Sequence, residues 1–410
     1  MHQHYDYLII GGGIAGITAA ETIRAEDTSA HIAIISEESH VLYSRVLLPY
    51  YLKRHIPRSK LFLRTLKHFT EKKIDLHQSA TVQSIDAQHK DVMLADGKTI
   101  GYGKLLIATG GRVKDWGKPE DKEMLYRLQT LDDADRLADK LETIKNPLVI
   151  GSSFISLEFL EIFLANHITP MLLVQGKHFF GHLLEEEGGA LMQENFDRLG
   201  IQTDYEDTIA NIITTPKGTE IKTKNFKKFP TDAVAVGIGI DRNLECAKDA
   251  GFAIGKQGIK VNEYLETADP SVFAAGDVAE YYDIISGNER AVGNWTHAVL
   301  QGKRAGLNML GQREPFRSVP SYSITNLGFQ ITALGDTADY DDSAMRIDKD
   351  AKQYERFFLK GGILVGAALI NRFRDKNHIA QLIENRVAMA SWRDQLPFFT
   401  FDIRTIPVVK

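Results

Sequence analysis

Cysteine is nearly absent from this 410-residue chain: Cys246 stands alone. One thiol cannot close an internal disulfide, form a redox-active dithiol or ligate an iron–sulfur cluster. If the chain handles electrons, the carrier must be an organic cofactor or a separate protein. No metal site is expected, and the scarcity of cysteine fits a reducing, cytoplasmic setting. Long apolar runs are missing as well, none approaching the ~20 residues of a membrane-spanning helix. The start, Met1-His2-Gln3-His4-Tyr5-Asp6-Tyr7, has no cationic stretch before an apolar one, so a secretory signal is not expected. There is little excess charge of either sign. Forty-nine basic against 54 acidic residues leave −5, which gives no reason to expect nucleic acid or an anionic membrane as partner. The one dense basic cluster, Lys222, Lys224, Lys227 and Lys228, reads as a solvated hairpin or loop.

What is present is ordinary globular material, 43% hydrophobic and 25% charged. The length exceeds what one core organises, so two or three domains are expected. Tyr7 to Ile10 reads as a buried strand, followed by Gly11-Gly12-Gly13-Ile14-Ala15-Gly16 and a helical segment to about Ala25. A second apolar strand, His31 to Ile35, ends at Ser36-Glu37-Glu38. Strand, GxGxxG, helix, strand and acid is the order a dinucleotide site requires. Gly11 permits the tight turn, Gly13 lets backbone amides approach a pyrophosphate, and Gly16 lets the helix pack close to the sheet. The backbone at Gly11, Gly13, Ala15 and Gly16 is therefore assigned to cofactor binding, with the helix N-terminus facing the phosphates. Glu37 is placed to accept from ribose hydroxyls. These residues alone leave FAD and NAD equally open.

Later segments narrow the choice. Leu105 to Gly111 is a strand ending in the small-residue turn Ala108-Thr109-Gly110, and Ser271 to Ala279 is another apolar strand ending in Gly276-Asp277. Together with the first GxGxxG, these segments resemble the pyridine nucleotide-disulfide oxidoreductase family, flavoproteins with two dinucleotide-binding domains. The resemblance implies an α/β fold with two Rossmann-like, glutathione-reductase-type domains and a C-terminal α+β interface domain. It implies FAD, with Asp277 on the ribityl chain and Gly276 and Ala108, Thr109 and Gly110 around the cofactor. Trp295-Thr296-His297 would begin the helix that covers the pyrimidine end of the flavin; Trp295 and Thr296 are assigned to the cofactor, and His297 is read as structural.

The second nucleotide motif departs from the family pattern. Strand Pro147 to Ile150 leads into Gly151-Ser152-Ser153-Phe154-Ile155-Ser156-Leu157-Glu158, where only Gly151 keeps its glycine. Ser156 should be tolerated, whereas Ser153 would crowd a pyrophosphate or else donate to it. Gln175 stands where the family places an acid for the ribose of NAD, and Lys177 and His178 could face a 2′-phosphate. Glu158 matches the family glutamate near nicotinamide and flavin and is the catalytic candidate, while Ala233 to Ile238 matches the strand that closes this region. NAD(P)H is expected as co-substrate at a weakened site.

His40 to Leu52 lies where the family presents residues to the flavin ring. Val46 occupies the position of a redox cysteine, and Tyr50 that of a lysine near flavin N5, with Lys53 a weak substitute. The pattern around Tyr43 and Arg45 is most similar to the flavin module of nitrite reductase large subunits and, beyond it, to rubredoxin and ferredoxin reductases; Arg45 would contact FAD. The expected division is 1–115 with 236–316 for FAD, 116–235 for the nicotinamide nucleotide and 317–410 for the interface domain. In the last, an alternating segment from Val319 to Thr337, a hairpin of Glu355 to Leu359 and Ile363 to Ile370 turning at Gly361-Gly362, and a helix from about Asn377 to Ala390 are expected, and the stretch from Trp392 to Lys410 has no family counterpart. The interface domain suggests a homodimer or a complex subunit.

The expected activity is FAD-dependent transfer of electrons from NAD(P)H to a protein or small-molecule acceptor, without a redox cysteine. The alternative is a flavin-binding interaction or electron-transfer subunit whose NAD(P)H site is weakened or lost. A flavin monooxygenase fits less well, because the order of the units follows the reductases.

Overall fold

The computed structural model describes residues 3–116, 123–215 and 218–408. Met1 and His2 of the leader reading, and residues 409 and 410 of the tail, lie outside that range. The chain divides into two compact units: residues 1–46, 58–112 and 240–318 form one, and residues 47–57, 113–239 and 319–410 the other.

The first unit is built on five parallel strands in the order Ile74–His77, Ile32–Ile35, Gln3–Ile10, Thr99–Ile107 and Val272–Ala274. The central strands end in continuous buried apolar runs, Leu8 to Ile10 and Leu105 to Ile107, as a sheet covered on both faces demands, and all four residues of Ile32–Ile35 are buried. Thr99–Ile107 also pairs antiparallel with Asp91–Leu94, which continues to Val82–Asp86. Helix Ile14–Glu26 follows the first strand and crosses helix Trp295–Met309 at very short range. A Cβ at Gly302 would stand 2.2 Å from the Ala15 carbonyl oxygen, and one at Gly306 2.9 Å from that of Ala19. Those two glycines let the helices touch backbone to backbone.

The second unit repeats the plan. Gln202–Asp204, Met171–Leu173, Pro147–Ile150, Ala233–Val236 and Leu125–Tyr126 form a parallel sheet in that order. The strand order in both sheets is that of a Rossmann half, with the first strand central and its glycine loop at the carboxyl edge. The basic cluster falls on a three-stranded antiparallel sheet of Ile209–Thr215, Gly218–Thr223 and Lys228–Thr231, and on the turn between its last two strands.

The same unit holds a five-stranded antiparallel sheet ordered Ser321–Asn326, Phe329–Gly335, Ile363–Ile370, Gln353–Lys360 and Asp342–Asp348. The helix over it spans Lys376–Glu384, shorter than the sequence suggests. After Asn385 the backbone turns left-handed at Arg386 (φ 51°), and Ala388 bridges to Ile363. Sheet pairing captures the residues that would otherwise extend the helix. The tail then folds back on this sheet, burying Leu396, Ile403 and Ile406.

Candidate functional site

In the first unit the loop Gly11–Gly16 is fixed by two backbone bonds: Gly11 N donates to Ile35 O at 2.8 Å, and Ala108 N to Ile10 O at 2.7 Å. Gly11 adopts φ 119°, and a Cβ there would lie 2.1 Å from Ala108 O. At Gly16 a Cβ would meet Gly11 O at 2.1 Å, whereas at Gly13 it would meet nothing within 4 Å. The loop is tight toward the sheet and open at Gly13. Gly13 caps the helix with no side chain, and the N–H groups of residues 12 to 16 donate to no described residue. Five unspent donors at a helix N-terminus suit a pyrophosphate.

The other predicted residues of this unit gather around the loop. Gly276 (φ 82°) brings its Cα so close that a Cβ would stand 3.0 Å from Ala15 Cβ. Its N–H donates to Oε1 of the fully buried Gln301 at 2.7 Å, and Gln301 Nε2 has no partner. The Asp277 backbone carbonyl accepts from Arg242 Nε, but its carboxylate accepts from no described group, and burial raises that carboxyl above the usual value against the opposing charges of Arg242 and Arg45. An orphaned amide and an unsaturated buried carboxylate beside an open glycine cradle fit a ligand carrying phosphates and hydroxyls.

The turn 108–110 is stapled by Asn243, which sequence reasoning missed. Asn243 Nδ2 donates to Thr109 O at 2.9 Å, its own N–H to Gly110 O at 3.0 Å, and Thr109 Oγ1 to Asn243 O at 2.8 Å. Glu37 is exposed at the end of its strand. Its neighbour Glu38 is engaged, accepting from Tyr43 Oη at 2.6 Å and from Arg45 at 2.5 Å. Trp295 and Thr296 open the helix capped by Asn294, whose Oδ1 accepts from His297 N at 2.8 Å. His297 is buried against Tyr281 and Phe316, with ring centroids 5.5 and 5.1 Å away, and neither ring nitrogen has a partner. Burial, aided by Arg290, pushes it down to about 3, so it stays neutral and packs as a structural residue.

In the second unit Gly151 keeps the left-handed backbone (φ 108°), a Cβ there falling 2.5 Å from Gly237 O. Ser156 fits because its hydroxyl lies in the notch left by Gly237, where a Cβ would be only 2.3 Å away. Ser153 is the helix N-cap, and its Oγ accepts from Ser156 N at 3.2 Å; the sequence alternatives of crowding or donation did not include this. Ser152 Oγ accepts from Phe180 N. Gln175 and Lys177 are exposed beyond the adjoining strand.

Glu158, on helix Phe154–Ala165, sits in a polar cluster of this unit. Asn326 Nδ2 donates to Glu158 Oε2 and to Glu161 Oε2, both at 3.1 Å, and Leu327 N donates to Glu161 Oε1 at 2.9 Å. Lys53, its side chain 5% exposed, pairs with Glu161 and lies over the Tyr50 ring at 4.7 Å. Burial pushes Glu158 up to about 7, with Glu161 adding to the effect and Lys53 opposing it. One lysine faces two carboxyls, and Glu158 is the one whose hold on a proton is raised. The sequence reading rated Lys53 a weak feature. Its partner lies 108 positions away, and no local pattern marks such a pair.

The family model described as pyridine nucleotide-disulphide oxidoreductase matches residues 5–302, and that of the rubredoxin NAD+ reductase C-terminal domain matches residues 320–387. The chain belongs to the pyridine nucleotide-disulphide oxidoreductase family and is an FAD-dependent NAD(P)H oxidoreductase. Within that family it is similar to the ferredoxin–NAD+ reductase component of the anthranilate 1,2-dioxygenase system of Burkholderia cepacia, 28% identical over 92% of this chain and 93% of that protein. A ferredoxin reductase structure from Rhodopseudomonas palustris superposes with a TM-score of 0.88 at 26% identity, covering 97% of this chain and 98% of that one. Mouse apoptosis-inducing factor 3 is 29% identical over 89% of this chain, which spans 60% of that protein's length. Among the described residues no helix is long and apolar enough to cross a membrane.

Proposed function

We propose that the chain takes reducing equivalents from NAD(P)H and delivers them, through FAD, to a separate small iron–sulfur protein of the ferredoxin or rubredoxin class. One observation carries this reading. End-to-end similarity to a ferredoxin–NAD+ reductase component coincides with a single cysteine, which leaves no dithiol relay between flavin and acceptor. When bound, FAD supplies a ring that accepts a hydride and releases electrons one at a time.

The residues of the chain then have distinct tasks. The N–H groups of Gly13, Ala15 and Gly16 hold the pyrophosphate, Gly11 and Gly276 allow the close approach, and Glu37 takes the adenosine ribose. Asp277 takes the ribityl hydroxyls, with Ala108, Thr109 and Gly110, Arg45, Trp295 and Thr296 completing the cofactor's surroundings. Gly151 shapes the second loop for the nicotinamide nucleotide, and Glu158 holds a proton beside it. Residues 1–115 and 236–316 would form the FAD domain, 116–235 the nicotinamide domain and 317–410 the interface domain, in a cytoplasmic protein.

A second reading, a flavin subunit of a larger complex, draws support from the modified second loop. It also draws on 24% identity, over 96% of this chain, to the epsilon subunit of an NADH-dependent phenylglyoxylate dehydrogenase from Aromatoleum evansii. Anaerobic stopped-flow spectroscopy tests the main reading. Millimolar NADH or NADPH should bleach the flavin, and added ferredoxin should restore its colour. Flavin that stays oxidised would leave only the subunit reading.

A further inference from the structure

The two glycine loops share a backbone path but differ in how many donors they leave free. In the first, residues 12 to 16 present five N–H groups without a partner. In the second, the corresponding groups at Ser153 and Ser156 are spent internally. Ser153 Oγ accepts from Ser156 N at 3.2 Å, Ser156 Oγ accepts from Ser153 N at 3.4 Å, and the two hydroxyls lie 3.2 Å apart. This reciprocal capping box leaves only Ser152, Phe154 and Ile155 with uncommitted N–H groups, three against five.

Geometry did not force the cap. Ser153 has an extended backbone (φ −130°, ψ 170°), as has Gly13 (φ −77°, ψ −178°), so either residue type suits either position. Gly13 leaves the space in front of the helix empty, whereas Ser153 places a hydroxyl on the helix donors themselves. The position of an anion and the position of that hydroxyl compete for one set of N–H groups.

We propose that Ser153 sets the affinity of the second loop by self-capping, so that the pyrophosphate of a nicotinamide dinucleotide must displace its hydroxyl to gain the full donor set. The idea rests on the reading that this loop binds NAD(P)H, and it makes Ser153 a determinant of half-saturation rather than a participant in hydride transfer. Removing the hydroxyl costs the helix little when glycine replaces it and about 1 kcal/mol when alanine does. The dinucleotide gains what the cap relinquishes.

The test uses the FAD-loaded full-length protein and two variants, Ser153→Gly and Ser153→Ala. Calorimetric titration with NADH and with ADP-ribose measures binding directly, and flavin bleaching separates half-saturation from limiting rate. Ser153→Ala should bind both probes about three- to tenfold more tightly, the range expected from losing one N-cap, and Ser153→Gly, which relinquishes less, about twofold more tightly. The change should appear in half-saturation and not in the limiting rate. Tightening by glycine alone would show that the Cβ crowds the ligand, and unchanged or weaker binding would show that the hydroxyl is neutral or donates to it. Each result overturns the proposal, while bleaching of the wild type would keep the reductase reading intact. Absence of binding in all three proteins would sink both; binding confined to the variants would support it.

Discussion

Glu158, like Glu355, is a glutamate of the second unit whose carboxyl burial raises to about 7. Its carboxyl is held at about 7 by burial and by Glu161, against an ordinary value near 4.5. Between those two values the unfolded chain has released the proton while the folded chain keeps it. The folded state therefore binds more protons, and raising the pH through that window favours unfolding. The penalty is fully developed above pH 7 and is on the order of 3–4 kcal/mol at 1.36 kcal/mol per pKa unit. Glu158→Gln retains an acceptor for Asn326 but cannot ionise. Denaturant midpoints measured from pH 5 to 8 should fall for the wild type and fall less steeply in the variant, where Glu355 still titrates in the same window; parallel curves would place the proton elsewhere. The identity of Glu158 as a candidate was legible from its spacing after Gly151. Its protonation was not, because that depends on Lys53 and Asn326 reaching Glu158 and its helix neighbour Glu161 from two distant segments. The same holds for Gln301 under Gly276 and Asn243 under Thr109: glycine turns announce themselves locally, whereas the side chains that brace them do not.

Among the elements, strands and glycine loops were readable because continuous apolar runs and punctuating glycines are local signals. The tail after Trp392 was not readable, since its anchor is a charge buried elsewhere in the sequence. Arg346, on strand Asp342–Asp348 with its side chain 1% exposed, donates from Nη1 to Phe398 O at 2.9 Å and Phe401 O at 2.8 Å. Its other face meets the fully buried Glu355, with Nε to Oε2 at 2.6 Å. Phe399 lies between guanidinium groups, 4.8 Å from Arg346 and 5.3 Å from Arg372. The arginine thus ties two carbonyls of the tail to a carboxylate in the sheet. Arg346→Leu would leave Glu355 with only the longer contact to Arg372 at 3.5 Å. Breaking such a pair typically costs 3–5 kcal/mol, and the tail should detach with it. Limited proteolysis should then cut between Trp392 and Ile406 in the variant and spare the wild type. A tail that stays protected would show that Leu396, Ile403 and Ile406 suffice to hold it.

For the molecule as a whole, the feature that matters is how its cofactor sites are distributed along the chain. The proposed FAD cradle draws on residues 11–16, 108–110 and 276–277, all in one compact unit although the chain leaves that unit at 112 and returns at 240. No cross-link holds those three segments together beyond the main chain itself. The contacts that do are Gly11 against Ala108, Gly276 against Ala15 and Gln301, and the helix crossing at Gly302. A ligand that touches all three adds its binding energy to the stability of this unit alone, about 2.7 kcal/mol at a hundredfold excess over Kd. The second unit has its own sheets and cores, and its loop contributes little to stability if nucleotide binding there is weak. Calorimetry on FAD-stripped protein should therefore resolve two transitions, of which FAD raises one by several degrees and NADH barely moves the other. If FAD instead raised both together, the units would melt as one cooperative block. The cofactor's grip would then be stabilising more of the chain than the segments that form its cradle.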